Sequence, residues 1–164
     1  IWIGLRKNPK TRYNRHVKLY LDNSFLNRPF DDISAGLNKL EAGVLLFIVQ
    51  LSRGGEIRLV DSSMIRYENS LNPFSERKKF VSRIMEIATE NVDYDEEIRK
   101  MALALEKKYG LRPYDARHIA CAETAKVDFF ITCDYTLPKK YKGAVPVITP
   151  LTFIDSYGNR YKGK

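Results

Sequence analysis

Histidine and cysteine are scarce in this chain of 164 residues, at two apiece. The cysteines, Cys121 and Cys133, are too few for a disulfide framework and lack the spacing of a metal motif. A reducing, cytoplasmic setting follows as the expectation. His16 and His118 cannot build a His-rich zinc site. Apolar runs are short as well. None approaches the roughly 20 residues that a membrane span requires, so no membrane association is expected. The longest, Val44 to Val49, reads as the inside of a soluble helix. The start, IWIGLRKNPKTRYNRH, is too charged and too short of apolar length for a secretory signal. No low-complexity linker and no internal repeat divides the chain.

Acid is missing from one stretch. Residues 1–18 hold Arg6, Lys7, Lys10, Arg12, Arg15 and Lys18 without a single Asp or Glu, so this start carries +6 of the net +8. A second basic cluster comes late, with Lys139, Lys140, Lys142, Arg160, Lys162 and Lys164. Such a balance suits a polyanionic partner such as nucleic acid, although basic ends are about as often simply solvated. A composition of 44% hydrophobic and 29% charged residues supports one globular domain with a real core. That domain is placed at 17–156, between a basic extension at 1–16 and a basic tail at 157–164.

Along the domain, elements alternate. Val17–Leu21 is an unbroken apolar and aromatic run apart from Lys18, as in a strand of a parallel sheet covered on both faces. Ser34 is placed to cap a helix with Leu37, Leu40, Val44, Leu45, Ile48 and Leu51 at helical spacing, stopped by Gly54-Gly55. EIRLVDSS reads as a second strand, and Met64 to Ser70 as a short helix. Ser75 then caps ERKKFVSRIMEIATE. A further helix starts near Asp95, with Ile98, Met101, Ala102 and Leu105 inward and Gly110 at its end. Pro113 opens the next, because the first turn of a helix has no use for the N–H that proline lacks. VDFFIT and VPVIT supply a third and a fourth strand. The whole describes an α/β fold with a mainly parallel sheet.

Ligands of open parallel sheets bind at the carboxyl ends of the strands. Asp22 ends the first strand, Glu68 lies on the short helix after the second, and Asp134 follows the third directly. Asp115 falls in the first turn of a helix, where the macrodipole favours a negative charge. Each acid alone also fits a structural role: a strand-end turn, a solvated helix surface, a first-turn charge, an Asx turn. Together at predicted carboxyl ends they make a site. Clustered carboxylates raise one another's pKa values, and a hard divalent cation with oxygen ligands, Mg²⁺ or Mn²⁺, removes that conflict.

At these residues the sequence resembles the PIN-domain family of metal-dependent nucleases, which includes the VapC-type toxins. The resemblance spans roughly Val17 to Ile154. It rests on LYLDNSFLNRPFDD, LVDSSMIRYEN, LRPYDARHIACAETAKVDFFITCDYTL and VPVITPLTFI, in that order. The third block is the most specific, with its D-A-x-H-x-A helix followed by a strand and T-x-D. The resemblance implies a three-layer α/β/α sandwich with the Asp22 strand at the centre of a mainly parallel sheet. It implies an acidic quartet at Asp22, Glu68, Asp115 and Asp134, with Ser24 and Thr132 as small polar residues that orient a carboxylate or a metal water. It further implies Mg²⁺- or Mn²⁺-dependent endonucleolytic cleavage of RNA, leaving a 5′-phosphate and a 3′-hydroxyl. A cognate antitoxin and a homodimer are implied partners. Two positions depart from the pattern: Tyr135 stands where many relatives carry a second acid, and Asn23 where Thr is commoner.

Around this site, Arg28, Arg117, His118, Lys139 and Lys140 are candidates for substrate contact. His118, three residues after Asp115, shares its helix face, although a packing role suits it better. Cys133 is read as a small buried residue rather than a nucleophile. Asp31 and Asp32 lie before a helix rather than at a strand end, and are assigned to loop order and helix-end charge. The competing function is a PIN-like module that binds RNA or protein without cutting. A DNA-directed nuclease of the wider superfamily ranks behind both.

Overall fold

The computed structural model describes residues 16–161. The expected basic residues at positions 6–15 and 162–164, and the side chain at 160, lie outside what is described. Five strands form one parallel sheet: β1 Val17–Leu21, β2 Ile57–Ser62, β3 Glu90–Val92, β4 Phe129–Ile131 and β5 Val147–Ile148. Their order is β3-β2-β1-β4-β5. Eight helices connect and follow them: α1 Asn23–Leu26, α2 Gly36–Arg53, α3 Ser63–Ser70, α4 Ser75–Met85, α5 Glu96–Tyr109, α6 Pro113–Ala125, α7 Leu137–Lys140 and α8 Pro150–Tyr161, with a 3-10 turn at Arg28–Phe30. The result is a three-layer α/β/α fold with β1 in the middle.

The chemistry of β1 explains that position. Leu19, Tyr20 and Leu21 are all buried, and burial of each leucine stabilises the fold by about 2 kcal/mol. Lys18, the one polar residue of the strand, reaches the rim to meet Glu90 at 2.6 Å and the carbonyl of Ala125 at 2.9 Å. Tyr20 stacks on Phe130 of β4, with centroids 5.2 Å apart. On α6 small residues dominate the buried positions, among them Ala116, Ala120, Cys121, Ala122 and Ala125. They let α6 lie close against both α5 and the sheet edge of β2 and β3.

Several local expectations change. Among the described residues the sheet has five strands, not four. Glu90–Val92, of which Glu90 was expected to end the helix capped by Ser75, is an edge strand paired with β2. It buries only Val92, so no apolar run announces it. Ser34 does not cap α2: its backbone N–H is taken by Oδ1 of Asp32 at 2.9 Å, an Asx turn that competes with capping, and the helix starts after Ala35. Ser75 is the first residue of α4 rather than its cap. Leu37, Leu40 and Met101 face solvent instead of the core. The last helix crosses the expected boundary at 156. Tyr157 is buried against Phe153, with centroids 5.5 Å apart, so residues 157–161 continue a helix of the folded body rather than begin a tail. Gly110 does end α5, in the left-handed conformation with φ of 62° that favours glycine.

Candidate active site

The chain leaves β1 toward β2 on one side and returns to β4 on the other. The carboxyl ends of β1 and β4 therefore flank the switch point of the sheet, where open α/β folds hold ligands. Asp22 sits there. Its backbone N–H donates to the carbonyl of Ile131 at 2.9 Å, and its own carbonyl starts α1. An aspartate in this position usually caps its helix with its side chain. Asp22 does not. Its Oδ2 accepts instead from Ser24 Oγ and Thr132 Oγ1, both at 2.7 Å. Two hydroxyls on one oxygen leave Oδ1 without a protein donor among the described residues. Burial raises the pKa of Asp22 and the nearby Glu68 adds to the rise, while His118 and the two hydroxyls pull it back.

Glu68, on α3, is held from behind. Its Oε2 lies 2.6 Å from Nε2 of His118. Nδ1 of His118 lies 2.7 Å from the hydroxyl of Tyr20, which lies 2.7 Å from Oγ of Ser62. Burial alone would raise the Glu68 carboxyl, but the hydrogen bond and charge of His118 outweigh it and the pKa is lowered. His118 is only 1% exposed. Of the two readings of His118 the geometry favours packing over a phosphate contact: both ring nitrogens are engaged internally, and the ring braces Glu68.

Asp115 and Asp134 come together on a residue that sequence reasoning missed. Arg112 donates through Nε to Oδ2 of Asp115 and through Nη2 to Oδ2 of Asp134, both at 2.7 Å. The signal lay in the spacing: Arg112 immediately precedes Pro113 and stands three residues before Asp115, within reach of the first turn of its own helix. Asp134 also closes an Asx turn, its Oδ1 accepting from the N–H and hydroxyl of Thr136. Burial opposes ionisation at Asp134, but Thr136 and Arg112 together lower its pKa. Its structural and site readings thus hold at once.

Arg28 is likewise not free for substrate. It pairs with Asp31 at 2.9 Å and with the fully buried Glu41 of α2 at 2.8 Å. Glu41 accepts in turn from the hydroxyl of Tyr135. Tyr135 therefore ties the Asp134 loop to α2 in place of a further acid. Asp31 and Asp32 act within the loop, through Arg28 and the N–H of Ser34. Arg117 lies over the ring of Tyr114, and Lys139 and Lys140 are exposed on α7. Burial pushes the thiols of Cys121 and Cys133 up to about 12, so neither is a ready nucleophile.

The PIN domain family profile matches residues 19–143, which include all four carboxylates. The chain belongs to the PIN-domain family. No curated protein matches its sequence at a significant level. Among solved structures, PAE2754 from Pyrobaculum aerophilum aligns with a TM-score of 0.52 at 16% identity, covering 88% of this chain and 99% of that one. VapBC2 from Rickettsia felis, solved bound to a DNA fragment from their promoter, aligns with a TM-score of 0.55 at 10% identity, covering 81% and 98%. At such identities the likeness is one of fold.

PIN domains typically use a divalent metal. Among the described residues, no group of three or more His, Cys, Asp and Glu side chains is already arranged to hold an ion. The donors nonetheless fit a hard cation in kind: they are carboxylate oxygens at one sheet edge, and Mg²⁺ keeps several of its waters rather than demanding an all-protein cage. Two features point the same way. Arg112 is a positive group already drawn onto two of these acids. Asn23, beside Asp22, is buried next to Glu68 and helps to hold that carboxyl's pKa down.

Proposed function

We propose that this PIN protein is a divalent-metal-dependent endoribonuclease of the cytoplasm and the toxin of a toxin–antitoxin pair. The observation that carries the nuclease reading is the convergence of Asp115 and Asp134 on Arg112, beside a buried Asp22 whose Oδ2 is fixed by the hydroxyls of Ser24 and Thr132. Asp22, Glu68, Asp115 and Asp134 would hold Mg²⁺ or Mn²⁺, which when bound supplies an activated water and offsets charge on the phosphate. Ser24 and Thr132 fix the Asp22 carboxylate, and His118 fixes Glu68. Arg112, with a side chain 68% exposed, is free on its outer side to meet a phosphate oxygen. In the reaction, water adds to phosphorus, the bond to the 3′ oxygen breaks, and that oxygen takes up a proton. Exposed Lys139 and Lys140 suit the flanking phosphates. The likeness to VapBC2 supports an antitoxin partner, and a homodimer is proposed on the family resemblance alone. No helix among the described residues is long and apolar enough to cross a membrane.

The test is cleavage of single-stranded RNA with Mn²⁺. Cutting that stops with EDTA, and that Asp22→Asn lowers by a factor of about 100 or more, is the expected result. Cleavage that survives either change would overturn the mechanism. A second reading, a module that binds RNA or protein without cutting, draws on the same Arg112, which already neutralises two of the acids. RNA binding without any Mn²⁺ binding at millimolar concentration would favour it.

A further inference from the structure

Tyr67 and Tyr114 form a stacked pair that neither the fold nor the carboxylates require. Their ring centroids are 6.5 Å apart with planes 18° from parallel. Both are exposed, at 50% and 38%. Each immediately precedes a site acid: Tyr67 comes before Glu68 on α3, and Tyr114 before Asp115 on α6. The guanidinium of Arg117 lies 5.5 Å from the Tyr114 centroid, which extends the pair into a column of three flat groups. The buried contact between α3 and α6 is already made elsewhere, by His118 against Glu68. The tyrosines, whose side chains are also hydrogen-bonded to each other, add exposed planar aromatic surface next to Glu68 and Asp115 in the chain.

We propose that this column is a stacking platform for an unpaired base of the RNA strand whose phosphate lies at the carboxylates. The proposal rests on the nuclease reading and adds to it a binding subsite for one base beside the cleaved bond. Aromatic faces and arginine planes take unpaired bases without regard to sequence, and a base inside a duplex has no free face to offer. Charge supports the same occupant. Arg117 sits in the column and Arg112 at the acids, so a strand reaching from base to phosphate meets a cation at both ends. Tyr67 and Tyr114 are binding residues in this account and leave the chemistry to the carboxylates.

The experiment uses the full chain carrying Asp22→Asn, with single-stranded RNA bearing the fluorescent base 2-aminopurine, and Mg²⁺ present. Stacking quenches the fluorescence. Saturable quenching is expected, weakened about tenfold by Tyr67→Ala or Tyr114→Ala and by less than about twofold by Tyr67→Phe. Tyr67→Leu, which keeps apolar bulk without a flat ring, is expected to behave as the alanine variant, and its circular dichroism melt controls for folding. In the cleaving protein, Tyr67→Ala should raise KM for single-stranded RNA and leave kcat unchanged. Unchanged binding and KM in the Ala and Leu variants, with metal-dependent cleavage intact, would overturn the platform and leave the nuclease standing. Equal loss on single-stranded and duplex RNA would also overturn it. A parent protein that neither binds nor cuts RNA removes both readings.

Discussion

At Asp22 burial and the nearby Glu68 push the carboxyl's pKa up, while His118 and the hydroxyls of Ser24 and Thr132 pull it down, and burial prevails. The folded protein thus retains a proton over a range of pH in which the unfolded chain has already lost it. Stability contributed by this group is present at low pH and is lost as pH rises through the folded pKa. Ionising Asp22 in the folded protein is therefore costly, and under the nuclease reading a bound cation would offset that cost. Arg112 stands in the opposite relation, as a cation that offsets repulsion between Asp115 and Asp134. Under the nuclease reading it competes with the metal and then serves the phosphate. Arg112→Ala should therefore tighten Mn²⁺ binding in a calorimetric titration while lowering kcat/KM on RNA by at least about tenfold. Weaker Mn²⁺ binding in that variant would contradict the role. The positions of Asp22 and Asp134, each just after a strand, were legible in the sequence because the apolar runs of β1 and β4 are. Arg112 was not, since a lone arginine before Pro113 looks like surface, and only its span to Asp134, 22 residues away, shows its use.

At the scale of elements, α2 adds a buried charged contact to the apolar face it packs with Val44, Leu45 and Ile48. Glu41 projects from it into the interior with no exposure, and Arg28 and Tyr135 meet it from the loops after β1 and β4. Both loops bear site aspartates, so this contact sets their separation. Glu41→Ala removes the buried partner of Arg28 and leaves it only Asp31, and should lower unfolding free energy by about 3 kcal/mol in urea titration. A change under about 0.5 kcal/mol, the range of ordinary surface substitutions, would show that the contact holds nothing. Periodicity revealed α2, α5 and α6 because each repeats an apolar or small face over three or more turns. It did not reveal β3, which has three residues and one buried side chain. It also misplaced Leu37 and Leu40, since helical spacing says which residues share a face and not whether anything covers it.

At the scale of the molecule, a parallel sheet with β1 at its centre brings acids from four separate elements to one edge. The alternating strands and helices of the sequence pointed to that architecture, and the chain order around β1 turns it into a site at the switch point. The tertiary partners of His118 and Arg28 could not be read in advance, because Tyr20 and Glu41 lie far from them or in another layer. Under the nuclease reading this arrangement makes a stability trade: a buried Asp22 would weaken the metal-free fold, and a bound cation would offset that cost. The measurement that tests this most directly is a thermal melt of the wild type and of Asp22→Asn, each with and without millimolar Mn²⁺ at neutral pH. The account predicts that metal-free Asp22→Asn melts at or above the wild type, that Mn²⁺ raises the wild-type midpoint by several degrees through binding to the folded state, and that Asp22→Asn gains little. A wild type indifferent to Mn²⁺, or an Asp22→Asn variant that gains as much, would contradict it.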